Sequence, residues 1–291
     1  MDNLTDIGAI KALLARHGFT FSKALGQNFL INPSVCPRMA SACREGMPDG
    51  FAALEIGPGI GVLTRELAKT AEKVVSVELD RRLLPVLAET VGEYGNVEVV
   101  QGDAMRLDLA ALMREKTPGL PLVVCANLPY YLTSPLLMRL LESRLPANNI
   151  TVLVQKEAAE RLCARPGTRA CGAVTLAVDY YARAERLFPV SRGSFLPAPK
   201  VDSTVMRLRI REEPPCRAKD ESLMFRLIRA AFAQRRKTIA NALAGGGYSK
   251  QTVRTALAEA GISPGARAEE IPLEGFAALS DAMGVLLESG G

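Results

Sequence analysis

Between Phe51 and Gln155 short β-type runs alternate with helical patterns, and no other feature of the chain narrows its fold so far. The runs are FAALEI, KVVSVEL, VEVVQG, LPLVVCA and ITVLVQ. Val62 to Lys69, Arg81 to Val91 and Pro135 to Leu141 carry apolar residues at helical spacing. Strands separated by helices of this length predict an α/β fold with a parallel sheet, right-handed crossovers and helices on both faces. Ligands on such sheets bind beyond the carboxyl ends of the strands.

Two further β-rich runs follow, GAVTLAVDYY and STVMRLRI, with the loop FLPAPKVDS before the second. REEPPCRAKD then interrupts any regular element with paired prolines and charge, as a linker does. Glu221 to Ser289 is helical in pattern, with AGGGYS and GISPGA as breaks. A boundary near Glu212 therefore divides the 291 residues into a first domain, 1–211, and a second, 212–291.

Hydrophobic residues make up 48% of the chain and charged residues 23%, the balance of an ordinary globular protein. No apolar run reaches the length of a bilayer-spanning helix. MDNLTDIGAIKALLARHGFT is acidic early and lacks the apolar block of a signal peptide, so a cytoplasmic location is expected. The six cysteines (Cys36, Cys43, Cys125, Cys163, Cys171 and Cys216) include no CxxC pair. That favours reduced thiols used as small apolar residues, and no metal is expected. His17 is the single histidine and lies in a helix-like stretch, so a mechanism needing a histidine base elsewhere is excluded. The net charge is +5, but Arg183 to Lys237 alone carries fourteen Lys and Arg against six Asp and Glu. Such a stretch suits a polyanion, nucleic acid before membrane, or else a solvated surface.

LEIGPGIGVLT closes the first run. Gly57, Gly59 and Gly61 permit a tight turn and close approach of backbone to a ligand. With Val62 in the sixth position the loop departs from the GxGxxG of dinucleotide sites and suits a nucleoside without a pyrophosphate, or a plain connector. Glu78 ends the second run about twenty residues on, where an acid can take both ribose hydroxyls. Asp80 reads as the N-cap of the next helix. Asp103 ends the third run, where it can accept from an adenine amino group. Each acid alone can equally cap a helix; together they outline an adenosine-shaped slot.

The fourth run leaves the sheet as CANLPYYLTSP. Asn127 offers a side-chain oxygen, and Pro129 cannot continue a ladder, so carbonyls there are free to turn toward a ligand. Asn127 and the Pro129 carbonyl can together hold both hydrogens of an exocyclic NH2 group. Tyr130 then supplies a flat face for the ring that carries it. Two such acceptors draw the amine toward tetrahedral geometry and sharpen its lone pair as a nucleophile.

LGQNFL, EIGPGIGVLT, VELD, GDAM, NLPYYLTSP, QKEAAERL, FLPAPKVDS and QRRKT occur in this order. Together they resemble the ribosomal RNA adenine N6-dimethyltransferase family, and most closely its bacterial branch acting on small-subunit 16S rRNA. The likeness spans about Phe21 to Leu243. It implies a Rossmann-like, class I S-adenosylmethionine-dependent methyltransferase domain, with an N-terminal segment of about 1–45 covering the cofactor and a smaller all-α RNA-binding domain behind it. It implies that Asn28, Leu30, Gly57, Gly59, Glu78, Asp103 and Asn127 contact S-adenosylmethionine. Asn127, Pro129 and Tyr130 would hold and stack the target adenine, with Phe195 closing its other side. Arg235, Arg236 and Lys237, read as neighbours on a helix, would straddle an RNA backbone.

The implied substrate is a pair of adjacent adenosines in a hairpin loop near the 3′ end of 16S rRNA, in the 30S subunit or its precursor, modified by a monomer. The sequence departs from bacterial relatives at GTRACGAV, where Cys171 stands in place of a common tyrosine, and no role is assigned there. Three alternatives stand beside this reading. They are a 23S rRNA adenine methyltransferase of the macrolide-resistance type, an rRNA-binding assembly factor without turnover, and an NAD-dependent oxidoreductase, which Val62 and NLPY disfavour.

Overall fold

A computed structural model describes residues 3–22 and 26–289. Leu25, the first residue of LGQNFL, and residues 1, 2, 23 and 24 of the N-terminal segment lie outside the described residues. The chain forms two compact units, Met1–Ala159 with Ala184–Ile210, and Glu160–Arg183 with Arg211–Gly291.

The chain order is α1 (Ile7–Arg16), β1 (Phe29–Leu30), α2 (Val35–Arg44), β2 (Ala52–Ile56), α3 (Val62–Ala68), β3 (Lys73–Glu78), α4 (Leu84–Val91), β4 (Val97–Gln101), α5 (Leu109–Lys116), β5 (Leu122–Asn127), α6 (Thr133–Glu142) and β6 (Ala147–Gln155). After α7 (Lys156–Leu162) and α8 (Ala173–Tyr181) come β7 (Ala182–Val190), β8 (Phe195–Leu196) and β9 (Ser203–Ile210). The helices α9 (Glu221–Ala233), α10 (Ile239–Gly245), α11 (Lys250–Glu259) and α12 (Leu273–Ser289) complete the chain.

Seven strands form one sheet in the order β4-β3-β2-β5-β6-β9-β7. The pairs β2·β3, β2·β5, β3·β4 and β5·β6 are parallel, whereas β9 runs antiparallel to β6. β2 is buried throughout and β5 nearly so, which is why both read as continuous apolar runs. Met39 and Cys43 of α2 and Leu63 and Leu67 of α3 share one core cluster with Ala53, Val74, Val123 and Cys125 of the strands. A second cluster joins Ile10, Leu13 and Leu14 of α1 to Leu83, Val86, Leu87 and Val91. Each fully buried Leu, Ile, Val or Met side chain among them contributes about 1.5–3 kcal/mol of transfer free energy. Asp6 starts α1 by accepting from the Ala9 N–H at 2.8 Å, and His17 ends it, its Nε2 2.6 Å from Glu89 Oε2.

The structure departs from the sequence expectation in the segment that follows α7. GAVTLAVDYY, expected as β-rich, contains the helix α8, and the strand β7 follows it at once. The β-branched residues that suggested a strand are overridden by packing within the second unit. There Tyr180 and Tyr181 lie 5.2 and 5.6 Å from the Phe225 ring of α9 and donate both hydroxyls to Glu221. The second unit resumes at Arg211, beside the division read near Glu212, and takes in Glu160–Arg183 as well. Residues 160–183 cluster with the C-terminal helices, because α8 buries Leu176, Ala177, Val178 and Tyr180. The linker 211–220 forms neither helix nor strand. No helix among the described residues is long and apolar enough to cross a membrane.

Candidate active site

From β2 the chain crosses to β3 and β4 on one side, then starts β5 and β6 on the other. The carboxyl ends of β2 and β5 are therefore a topological switch point, where α/β sheets open a crevice. Ile56 pairs with Ala126 in the ladder, so Gly57 and Asn127 leave the sheet side by side. The cavity at this point is lined by all the glycine-loop residues from Gly57 to Ile60, by Glu78 and Asp103, and by Asn127 to Leu132. Asn28, Leu30 and Phe195 also line it.

Two glycines of the loop serve opposite purposes. Gly57, at φ +70°, has nothing within 4 Å of where a Cβ would sit, so its missing side chain leaves open space beside the cavity. At Gly61, φ +88°, a Cβ would fall 2.7 Å from Val91 Cγ1, so the glycine there permits packing.

Glu78 accepts from the Gly59 N–H at 3.3 Å and the Asp80 N–H at 2.7 Å, which ties the end of β3 to the glycine loop. Burial raises its pKa above the ordinary carboxylate value. Asp80 caps the turn after β3 by accepting from the Arg82 N–H at 3.1 Å. It also receives Gln27 Nε2 at 2.9 Å, and the Arg82 guanidinium holds its pKa low. Asp103 accepts from the Met105 N–H at 2.8 Å and lies 3.5 Å from Arg106.

Sequence reasoning missed Gln27, although it lies inside the QNFL motif. It also missed Glu55, which nothing local distinguishes from a surface acid. Glu55 is 1% exposed and lines the cavity, and its Oε2 accepts from Thr64 and Ser76, each at 2.7 Å. Its Oε1 has no hydrogen-bond partner among the described residues. Burial, with the nearby Glu78 charge, pushes its pKa up to about 7 against the two hydroxyl hydrogen bonds.

Three motifs distant in sequence meet at the β5 exit. β1 pairs antiparallel with β8, Leu30 opposite Phe195 and Phe29 opposite Leu196, which lays QNFL beside FLPAP. Asn127 Nδ2 donates to the Asn28 carbonyl at 3.1 Å. Because a carbonyl only accepts, this bond fixes the amide orientation and leaves Oδ1 as an acceptor without a protein donor among the described residues. Tyr130 is locked by a 2.7 Å hydrogen bond between its hydroxyl and Ser203 Oγ. Burial raises its pKa.

The Pro129 carbonyl, expected as the second acceptor, already accepts from the Leu132 N–H at 3.0 Å to close the turn. The Leu128 carbonyl, one residue earlier, accepts no hydrogen bond among the described residues and is the freer acceptor. Phe195 is 3% exposed and belongs to the core cluster as well as to the cavity wall, so its ring is held more firmly than a surface clamp would be.

Arg235, Arg236 and Lys237 are all exposed but do not lie on a helix: α9 ends at Ala233, and 234–237 form a turn. Within the second unit Arg235 donates to the carbonyls of Arg169 at 2.6 Å and Cys171 at 3.2 Å. It is committed to holding that segment in place. Elsewhere in the basic stretch Arg207 and Arg209 pair with Glu45 and Glu185, and Arg211 pairs with Asp179. Part of the basic stretch is thus engaged inside each unit.

Residues 18–283 match the model of the family described as ribosomal RNA adenine dimethylase. The chain belongs to this family. It is 43% identical over 281 residues to a protein of Geobacillus sp. (strain WCH70) named ribosomal RNA small subunit methyltransferase A, covering 95% of this chain and 96% of that one. A protein of the same name from Clostridioides difficile (strain 630) is 41% identical over 290 residues, covering 99% of this chain and all of the relative. Among solved structures, a dimethyladenosine transferase from Plasmodium falciparum aligns with a TM-score of 0.71 at 25% identity, covering 90% and 97% of the two chains. The 23S rRNA methyltransferase ErmE aligns with a TM-score of 0.63 at 29% identity, covering 88% and 99%. The family's fold is Rossmann-like, and its members are rRNA adenine methyltransferases.

Proposed function

We propose that this chain methylates N6 of two adjacent adenosines in the hairpin loop near the 3′ end of 16S rRNA, giving N6,N6-dimethyladenosine. It acts as a cytoplasmic monomer on the 30S subunit or its precursor and uses S-adenosylmethionine. The observation that carries this reading is the acceptor set at the β5 exit: an Asn127 Oδ1 and a Leu128 carbonyl that accept no hydrogen bond among the described residues, and the anchored Tyr130 ring.

The residues fit the cofactor. Gly57 leaves space where any side chain would intrude, and the Glu78 and Asp103 carboxylates line the same cavity as acceptors for ribose hydroxyls and an adenine amino group. When bound, S-adenosylmethionine would supply a sulfonium methyl carbon: the S–CH3 bond would break as the N6–CH3 bond forms, S-adenosylhomocysteine would leave, and the methylated N6 would then lose one proton to water. Asn127 Oδ1 and the Leu128 carbonyl hold the two N6 hydrogens and orient the lone pair. Tyr130 on one side and Phe195 in the wall confine the ring. No base is needed before attack, which suits a site whose single histidine sits at the end of α1. After the first transfer one acceptor loses its hydrogen, and the second transfer relies on the other.

Relatives named for the small subunit are 41–46% identical to this chain, whereas ErmE is 29% identical, which favours a 16S target over 23S. Incubating the protein with labelled S-adenosylmethionine and unmethylated 30S or 50S subunits, followed by nucleoside analysis, tests the reading. Dimethyladenosine from 30S alone is expected. Label in 50S alone would replace the substrate, and label in neither would reject the activity.

A further inference from the structure

The mechanism uses Tyr130 and leaves the tyrosine beside it without a role. Tyr131 lies in the short turn Tyr130–Leu132 between β5 and α6 and lines the same cavity. It is 55% exposed, the most open of the large apolar side chains among the described residues. One edge of its ring is backed by the chain: a Cβ at Gly26 would come within 3.3 Å of Tyr131 Cε1 and 3.6 Å of Pro129 Cβ. Gly26 thus lets the loop bearing Gln27 and Asn28 close against the ring. A tyrosine buried in a wall finds a partner for its hydroxyl, as Tyr130 does in Ser203. The Tyr131 hydroxyl has none among the described residues. A half-exposed ring, backed at one edge and unanchored at its polar end, has the properties of a stacking surface.

An adenosine drawn into the slot breaks its stack with the nucleotide next to it, and that neighbour is carried past the rim of the cavity by the continuity of the chain. We propose, resting on the rRNA methylation reading above, that Tyr131 forms a second base subsite that stacks the nucleobase adjoining the one being methylated. The exposed ring replaces the stacking partner that base has lost. Every base has a π face, so the subsite accepts any neighbour with little sequence preference. For a target of two adjacent adenosines, the base parked on Tyr131 is the other substrate.

The test is a double-mutant cycle between protein and RNA. Hairpins carrying the two adenosines, intact or with an abasic nucleotide on the 5′ or the 3′ side of the target, are titrated by fluorescence anisotropy. The protein is wild type, Tyr131→Ala or Tyr131→Phe, each saturated with S-adenosylhomocysteine. Tyr131→Ala is expected to weaken the intact hairpin by about 5- to 150-fold, the range of one lost base–aromatic stack. Tyr131→Phe is expected to stay within about twofold of wild type. The loss in the alanine variant vanishes on one of the abasic hairpins, which also identifies the flanking side. Equal binding by Tyr131→Ala, or the same loss on both abasic hairpins, overturns the subsite. A parallel fall in S-adenosylhomocysteine affinity also overturns it, by assigning Tyr131 to the cofactor wall. Labelled transfer to 30S by the wild-type protein separates the two ideas: transfer without coupling refutes the subsite alone, and absence of both transfer and hairpin binding refutes the reading it rests on.

Discussion

Replacing Glu55 by glutamine is expected to remove most of a pH dependence of stability that one carboxyl imposes on the fold. The residue is 1% exposed, with two hydroxyl donors on Oε2 and, among the described residues, none on Oε1. Burial lifts its pKa from 4.5 to about 7. Below about pH 4.5 folded and unfolded chains both carry the proton, and the group is neutral toward stability. Between 4.5 and 7 the unfolded chain releases its proton while the folded chain keeps it, so stability falls as pH rises, and it levels off above 7. The full difference is worth about 3 kcal/mol, of which about 2 kcal/mol lies between about pH 5.5 and 8.5. Urea unfolding of wild type and Glu55→Gln at those two pH values reads it directly. The wild type is expected to lose about 2 kcal/mol relative to the variant on going to the higher pH. A constant difference between the two proteins, or a wild type that gains on the variant, would refute the assignment of a proton to the buried acid.

Alanine at the two loop glycines separates ligand space from packing. Gly57→Ala is expected to lower S-adenosylmethionine affinity in calorimetry while destabilising the fold by about 1–2 kcal/mol of backbone strain. Gly61→Ala adds a clash with Val91 and is expected to lose about 2–5 kcal/mol in urea unfolding. Tyr130→Ala is expected to lower kcat/KM on 30S subunits by about 5- to 150-fold with cofactor affinity retained. Phe195→Ala reports on the core as much as on the site, because removing so buried a ring costs about 3–5 kcal/mol. Reversing Arg236 and Lys237 to glutamate is expected to flatten the slope of log Kd for RNA against log salt by about 0.7–0.9 for each phosphate that is no longer neutralised. An unaltered slope removes both residues from the RNA surface.

How far the sequence reveals this molecule depends on the range of the forces at each place. β2, β3, β5 and β6 are legible because strands buried on both faces are apolar along most of their length, and the half-buried edge strand β4 is legible from its valines. The loop after β5 stands out in the sequence because an amide, a proline and two tyrosines end an apolar run abruptly, and the structure lays that loop along the cavity. α8 is not legible, since its β-branched residues favour a strand locally. Its conformation is decided by Phe225 and Glu221, which lie far along the chain. Arg235 reads as a continuation of α9 because nothing nearby marks Gln234 as the helix end, and its carbonyl partners at Arg169 and Cys171 come from a distant segment. Glu55 looks like any acid in a row. Only the fold brings Thr64 and Ser76 to it from two other elements, and only the fold takes its second oxygen away from water.

In the proposed mechanism the reacting amine is held chiefly by one atom, Asn127 Oδ1, and single-turnover methyl transfer interrogates it most directly. With cofactor saturating and 30S subunits in excess, Asn127→Ala is expected to slow the first methylation by about 10²- to 10³-fold, as for the loss of one preorganised polar group at a reacting centre. RNA affinity would change little. A rate within about threefold of wild type would mean that the amide does not hold the reacting amine, and the mechanism derived from the β5 exit would be contradicted.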